Sequence, residues 1–106
     1  MKTLDFGSFF KYLVAGAYIN ETCFYFTDDA DETERYLGFI ARYDEPYWVG
    51  SCDIPDGTEF QTAEDLVNAK IYHGKSLKER WDSVQIVSVM GIPFDEWQAM
   101  YRDTIS

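Results

Sequence analysis

Three short segments rich in aromatic and β-branched residues, separated by brief polar turns, constrain the fold of this chain most strongly. They span residues 22–27 (TCFYFT), 35–43 (RYLGFIARY) and 47–52 (YWVGSC). Each has the length and composition of a β-strand. Because the connections at residues 28–34 and 44–46 are short, the segments should be antiparallel neighbours. We therefore predict a three-stranded meander.

On both sides of this meander the hydrophobic period changes to that of a helix. Apolar residues recur at spacings of three and four between Phe6 and Ala17, and Gly16 should fall at or near the helix end. A second helix should begin at the cap residue Thr62 and continue to about Ile71. A last helix, about residues 94–103, should place four large residues on one face: Phe94, Trp97, Met100 and Tyr101.

Two further elements lie between the second and the last helix. Residues 76–79 (SLKE) match the capping-box pattern and should begin a short helix that carries Trp81. Residues 84–90 (VQIVSVM) should form a buried strand, which can pair with either edge of the meander. The predicted class is therefore α+β: an antiparallel sheet of about four strands, packed with N-terminal, middle and C-terminal helices. A length of 106 residues is that of a single domain.

The acidic residues are concentrated in one part of the chain. Thirteen of the 19 carboxylates, but only two of the nine Lys and Arg residues, lie between Glu21 and Asp65. Such an excess repels nucleic acids and membrane surfaces and attracts basic partners. Cys23 and Cys52 imply no disulfide framework, and no run approaches the roughly 18 apolar residues of a membrane span. We expect a cytoplasmic protein that binds neither nucleic acid nor membrane directly.

The meander also determines where the acids lie. In an up-down-up sheet, the turn at residues 28–34 and the loop at residues 53–59 lie at the same end, with Arg35 as the only base among them. One interpretation is a docking surface for a basic protein, and the other is a solvated edge that only improves solubility. The candidate partner-binding residues are these acids and two aromatic residues expected to be exposed: Asp28, Asp29, Asp31, Glu32, Glu34, Asp53, Asp56, Glu59, Tyr47 and Trp48.

A basic stretch follows the acidic one. Four bases and a single acid lie within eleven residues, and the bases are Lys70, Lys75, Lys78 and Arg80. We interpret this stretch as an ordinary solvated helix face. Phosphate binding, or pairing with the acidic end of a second copy, are the alternatives.

No catalytic or cofactor pattern meets the requirements of its chemistry. Residues 74–76 (GKS) imitate the end of a phosphate-binding loop, but Ala69 stands where that loop needs glycine. His73, the single histidine, could form a thiol–imidazole pair, yet Cys23 alternates with aromatic residues in the manner of a structural residue. The nitrogen and sulfur ligands are too few and too widely spaced for zinc. We expect no enzymatic activity, no cofactor and no metal.

Residues 60–86 resemble a segment of small uncharacterised acidic proteins from Firmicutes mobile elements. The resemblance is carried by residues 62–66 (TAEDL), residues 74–77 (GKSL) and Trp81. It implies residence on a plasmid, conjugative element or phage, and it supplies no active site. Small acidic proteins of such elements are often inhibitors of host defence, of the anti-CRISPR or anti-restriction type.

The functional prediction is a protein-binding inhibitor that acts as a nucleic-acid mimic. Its acidic end should occupy the basic groove of a host-defence nuclease, while exposed aromatic residues supply the buried anchor. An immunity protein that neutralises a toxin nuclease is an alternative of the same broad kind. A structural or regulatory subunit without an inhibitory role is the alternative from a different class.

Overall fold

The computed structural model describes residues 4–16, residue 19 and residues 21–101, with the backbone alone at Tyr101. Among these residues, three helices and eight strands form the predicted α+β fold. The helices are α1 (Phe6–Ala15), α2 (Ala63–Asn68) and α3 (Phe94–Tyr101). The strands are β1 (Glu21–Phe26), β2 (Arg35–Phe39), β3 (Tyr47–Gly50), β4 (Thr58–Phe60), β5 (Lys70–Tyr72), β6 (Lys75–Ser76), β7 (Val84–Val89) and β8 (Ile92–Pro93).

Six strands form one antiparallel sheet in the order β4-β3-β2-β1-β7-β8, and β5 and β6 form a separate hairpin. The predicted meander is the centre of this sheet. Its register places Leu37 of β2 between Thr22 of β1 and Val49 of β3. β7 pairs with β1, where Phe24 lies opposite Ile86, so the later strand joins the β1 edge of the meander.

The predicted number of about four strands is too low. β4 has three residues and β8 has two, and segments this short show no alternation of apolar and polar residues. β2 and β3 also end earlier than predicted, at Phe39 and Gly50. The sequence therefore locates the central strands better than their ends or the sheet edges.

The second helix is shorter than predicted. α2 begins at the expected cap, where Thr62 Oγ1 accepts the N–H of Asp65 at 3.1 Å. It ends at Asn68, because Ala69 adopts extended dihedral angles (φ −68°, ψ 131°), and the next residues form β5 instead of a last helical turn. His73 and Gly74, with φ of 57° and 78°, make the tight turn into β6.

The capping box forms, but the predicted helix after it does not. The N–H of Glu79 donates to Ser76 Oγ at 3.0 Å, and the N–H of Ser76 donates to the Glu79 carboxylate at 2.9 Å. The chain then continues through turns into a 3₁₀ segment, Trp81–Ser83. The capping box therefore stabilises a tight corner between β6 and β7.

The last helix presents a smaller apolar face than predicted. Phe94 and Trp97 are buried, as expected. The prediction is wrong for Met100, which is 59% exposed because it points away from the sheet-facing side of α3. The side chain of Tyr101 lies outside the described residues.

All three described helices pack against the same face of the six-stranded sheet. One cluster of buried side chains joins Leu13 of α1, Leu66 of α2 and Trp97 of α3 to Phe26 and Leu37 of the sheet. The opposite face carries no helix within the described ranges. The sheet therefore has one face in the core and one face directed away from the three described helices.

Candidate partner-binding surface

The turn at residues 28–34 and the loop at residues 51–57 lie at the same end of the sheet, and Arg35 joins them. This arginine is the first residue of β2. Its Nη2 donates to Asp29 Oδ2 at 3.0 Å, and its Nη1 donates to the carbonyl oxygen of Ser51. The proximity of the two acidic turns that the meander implies is therefore present.

A second arginine, Arg80, reaches this end from a distant part of the chain. Its Nη2 contacts Asp28, and it also contacts Asp29 Oδ1 at 3.3 Å. The expectation that Arg35 is the only base here is wrong. The interpretation of Arg80 as part of a solvated basic face is also wrong, because its guanidinium lies 3.8 Å from the ring centre of Phe26 and its side chain is only 9% exposed.

Asp29, Arg35 and Arg80 form what we call the buried ion cluster. Burial raises the pKa of the Asp29 carboxyl, but hydrogen bonds from Arg35 and Arg80 outweigh burial and hold the pKa below its ordinary value. The carboxylate is thereby kept charged between two guanidinium groups. The cluster ties the acidic turn to β2 and to the corner that follows β6.

Asp53 is also engaged inside the protein. Its two carboxylate oxygens accept the N–H groups of His73 and Gly74, each at 3.0 Å. These hydrogen bonds lower the pKa of Asp53. Asp53 therefore fastens the tip of the β5–β6 hairpin to the loop after β3.

Three of the eight predicted partner-binding acids, Asp28, Asp29 and Asp53, have internal contacts, and of these Asp28 and Asp53 are still exposed. Asp28 remains partly exposed, whereas Asp29 is buried. Three other acids of this end are exposed and have no ion pair within the described part of the chain. We call these three the acidic end: Asp31, Glu32 and Asp56.

Glu34 and Glu59 belong to the outward face of the sheet, Glu34 directly before the first residue of β2 and Glu59 within β4. Glu59 stands opposite Trp48 in the β3–β4 pair, and its neighbour Thr58 stands opposite the core residue Val49. Glu34 interacts with the Cys23 thiol, which alternates with the core residues of β1. The outward side of the sheet, which we call the open face, includes Glu21, Cys23, Tyr25, Glu34, Tyr36, Gly38, Trp48, Gly50 and Glu59.

The two predicted aromatic anchors lie on opposite faces. Tyr47 is 7% exposed, and its hydroxyl donates to the carbonyl oxygen of Leu13 at 3.0 Å, so the expectation that it is exposed is wrong. Strand alternation then places its neighbour Trp48 on the open face, where it is half-buried. Tyr36, which the sequence analysis did not single out, is exposed on the same face. The signal that identifies Tyr36 is strand alternation, counted along the strands from Cys23 and Trp48.

A cavity of about 750 Å³ opens between the turn at residues 28–34 and the β5–β6 hairpin, beside the buried ion cluster. Three buried polar atoms in its lining residues have no hydrogen-bond partner among the described residues: Arg35 Nε, Arg80 Nη1 and Tyr72 Oη. Both guanidinium groups lie near the ring of Phe26, at 5.4 and 3.8 Å, and such cation–π contacts partly replace a missing acceptor. Burial raises the pKa of the Tyr72 hydroxyl well above its ordinary value, which keeps it protonated.

The residues considered for chemistry have separate surroundings. His73 Nε2 lies 3.7 Å from Asp29 Oδ1, whereas the Cys23 thiol interacts with Tyr36 and Glu34 on the open face. The Cys52 thiol donates to the carbonyl oxygen of Ile54 at 3.6 Å. In the part of the chain that the structure describes, no three His, Cys, Asp or Glu side chains are grouped so that they could hold a metal ion.

No protein-family model, curated protein or solved structure matches this chain. The resemblance of residues 60–86 to proteins of mobile elements therefore stays a prediction. No helix among the described residues is long and apolar enough to cross a bilayer.

Proposed function

We propose that this protein is an inhibitor that binds a basic protein partner and occludes the partner's nucleic-acid groove. The partner class is a host-defence nuclease, so the activity is of the anti-CRISPR or anti-restriction type. One observation supports this most directly. After internal pairing is accounted for, the acidic end still presents three exposed carboxylates without an ion pair among the described residues, and the open face adds the exposed carboxylates of Glu21, Glu34 and Glu59 with no Lys or Arg on that face of its described strands.

The chemistry of such a groove fits these carboxylates. Duplex DNA carries one negative charge per about 1.7 Å of its axis, and a groove that holds it is lined with Lys and Arg. Exposed carboxylates compete for those side chains by the same Coulombic attraction. Because the charges are solvent-exposed, they act mainly on the rate of association, and salt weakens them.

The internal contacts support the same function indirectly. The buried ion cluster and the Asp53 bonds fix the two acidic turns against each other, so the acidic end is held in one arrangement before binding. Preorganisation of this kind reduces the conformational entropy that binding costs. A surface that only improves solubility gains nothing from such preorganisation.

The test is inhibition of DNA cleavage by a panel of nucleases that includes Cas9, a restriction enzyme and a toxin nuclease domain. The variant combines Asp31→Lys, Glu32→Lys and Asp56→Asn. Asparagine is used at position 56 because its φ of 68° is left-handed, a conformation that asparagine tolerates. We expect the parent to inhibit one nuclease, and the variant to associate about tenfold more slowly at physiological salt.

The matched control makes the same charge change at exposed acids elsewhere: Asp44→Lys, Glu45→Lys and Asp95→Asn. This control should associate at nearly the parental rate. The proposal is wrong if the parent inhibits none of the nucleases, or if both variants associate equally well. Inhibition of the toxin nuclease alone would instead identify an immunity protein.

A further inference from the structure

The open face carries two aromatic side chains beside glycines. In the β2–β3 pair, Tyr36 stands opposite Gly50 and Trp48 stands opposite Gly38. The position beside the Tyr36 ring is open, because nothing lies within 4 Å of where a Cβ atom of Gly50 would be, whereas Gly38 beside Trp48 is buried. The two rings are diagonal neighbours, and side chains so related lie about 7–8 Å apart. We call these two rings on the open face the aromatic platform.

Carboxylates border this platform on both sides. Glu59 of β4 stands directly opposite Trp48, and Glu34 lies beside Cys23 and Tyr36. The pKa of the Tyr36 hydroxyl is raised, first by the Cys23 thiol and then by Glu34 and Glu21, which is the response expected of a phenol among negative groups. No Lys or Arg lies on this face within the described strands.

Trp48 also has an unmet hydrogen-bond donor. Its indole N–H is buried, and it has no acceptor among the described residues. Native proteins seldom leave such a donor without a partner. A carbonyl oxygen of a bound segment would supply this acceptor if binding turned the indole N–H toward the segment.

Both kinds of base lie over aromatic rings in this protein, but Lys78, 5.7 Å from the ring centre of Phe6, has no ion pair among the described residues, whereas Arg80 combines a ring contact with carboxylate contacts. Arg80 lies over the ring of Phe26 while it pairs with Asp28 and Asp29, and Arg42 lies over the ring of Tyr43 at 5.1 Å. A guanidinium group stacks on an aromatic plane and donates to a carboxylate from its edge at the same time. The ammonium group of lysine has no plane to stack.

We propose that the open face binds an arginine-bearing segment of a protein partner, with a guanidinium group stacked on the Tyr36–Trp48 platform and paired with Glu34 or Glu59. This inference rests on the proposed function in one respect, namely that the partner is basic. The platform supplies the anchor that the acidic end alone lacks. Solvent-exposed charges raise the association rate more than they slow dissociation. Arginine on an aromatic platform is typical of the residues that dominate binding energy.

The experiment uses synthetic octa-arginine and octa-lysine peptides, titrated into the ¹⁵N-labelled protein at about 0.1 M salt. We expect octa-arginine to shift the indole N–H signal of Trp48 and the backbone signals of Tyr36 and Glu59. Octa-lysine should bind several-fold more weakly and leave the Trp48 indole signal nearly unchanged. Equal binding and equal shifts for the two peptides would refute stacking.

Two variants separate the platform from general acidity. Trp48→Ala should weaken octa-arginine binding about tenfold, as should the double variant Glu34→Gln, Glu59→Gln, which preserves side-chain shape. The control is Tyr43→Ala, which removes an exposed aromatic residue of the turn between β2 and β3, outside the two strands, and should leave the affinity unchanged. If the Trp48 and double variants keep their folded spectra and bind as the parent does, the inference is wrong.

This test is independent of the nuclease assay. If no nuclease is inhibited but octa-arginine binds through Trp48, the proposed function fails and the arginine platform stands. If a nuclease is inhibited but Trp48→Ala neither binds octa-arginine less tightly nor inhibits less, the platform fails and the proposed function stands.

Discussion

Replacing Asp29 by asparagine should destabilise the folded protein far more than any change at a neighbouring acid. Asp29 is the counter-charge of two arginines, and all three side chains are at most 9% exposed. Asparagine keeps the size of the side chain but leaves Arg35 and Arg80 without their shared carboxylate. Removing one partner of a buried ion pair typically costs about 3–5 kcal/mol, because the remaining charge is left uncompensated.

The loss of stability for Asp29→Asn should lie at the lower end of that range, because a second carboxylate, that of Asp28, stays near Arg80. Asp28 contacts Arg80 and remains after the substitution, although it is 57% exposed and so is a weaker partner. We therefore expect a loss of about 3 kcal/mol in the free energy of unfolding. With a urea dependence of about 1.5 kcal/mol per molar, the unfolding midpoint should fall by about 2 M.

The assay is equilibrium urea unfolding at pH 7, followed by far-ultraviolet circular dichroism. Asp31→Asn is the matched control, since Asp31 is exposed and unpaired within the described residues, and it should change the free energy by less than about 0.5 kcal/mol. A loss below about 1 kcal/mol for Asp29→Asn, with an unchanged urea dependence, would refute the assignment of a buried ion cluster.

The same cluster predicts a dependence on pH. The pKa of Asp29 in the folded state is below its ordinary value of 3.8, so its stabilising contribution is complete above that value. The contribution is lost as the pH falls through the folded-state pKa. In the parent, stability should therefore drop below about pH 4 more steeply than in Asp29→Asn. Parallel pH profiles for the two proteins would contradict the pKa direction.

Three further predictions concern other contacts. Gly16→Ala should lower the free energy of unfolding by about 1–2 kcal/mol in thermal unfolding, because the φ of Gly16 is 64° and a Cβ atom would lie 2.7 Å from the Phe39 ring. Gly74→Ala is the control and should lower this free energy by less, because the space around Gly74 is open. Tyr47→Phe should cost about 1 kcal/mol in urea unfolding through loss of the hydroxyl bond to Leu13, and an unchanged midpoint would contradict that bond. The Glu79 carboxyl should titrate at about 2 in a ¹³C NMR experiment, because the N–H of Ser76 and the side chain of Lys70 lower its pKa, and a midpoint near 4.5 would show that the capping box is absent in solution.

The sequence predicts the central strands because their information is local. Aromatic and β-branched residues concentrate in β1, β2 and β3, and the connecting turns are short enough to force antiparallel neighbours. The cap at Thr62 and the capping box at Ser76 are equally local, and both form. β4 and β8 have too few residues to show a period, so the sequence gives no sign of them.

The candidate site depends on contacts that no local pattern contains. Asp29 and Arg80 are 51 positions apart and meet only because β7 returns beside β1. Arg80 therefore reads as part of a basic helix face, although the fold turns it inward. The difference between Tyr47 and Trp48 is local, however, because alternation along β3 assigns one residue to each face once Val49 is recognised as core.

The two outermost strands limit how copies of this protein can associate. β4 offers three residues for further pairing, and β8 offers two, of which Pro93 has no N–H to donate. Edges this short give an incoming strand few backbone partners, so continuous growth of the sheet into fibres is disfavoured even in concentrated solution.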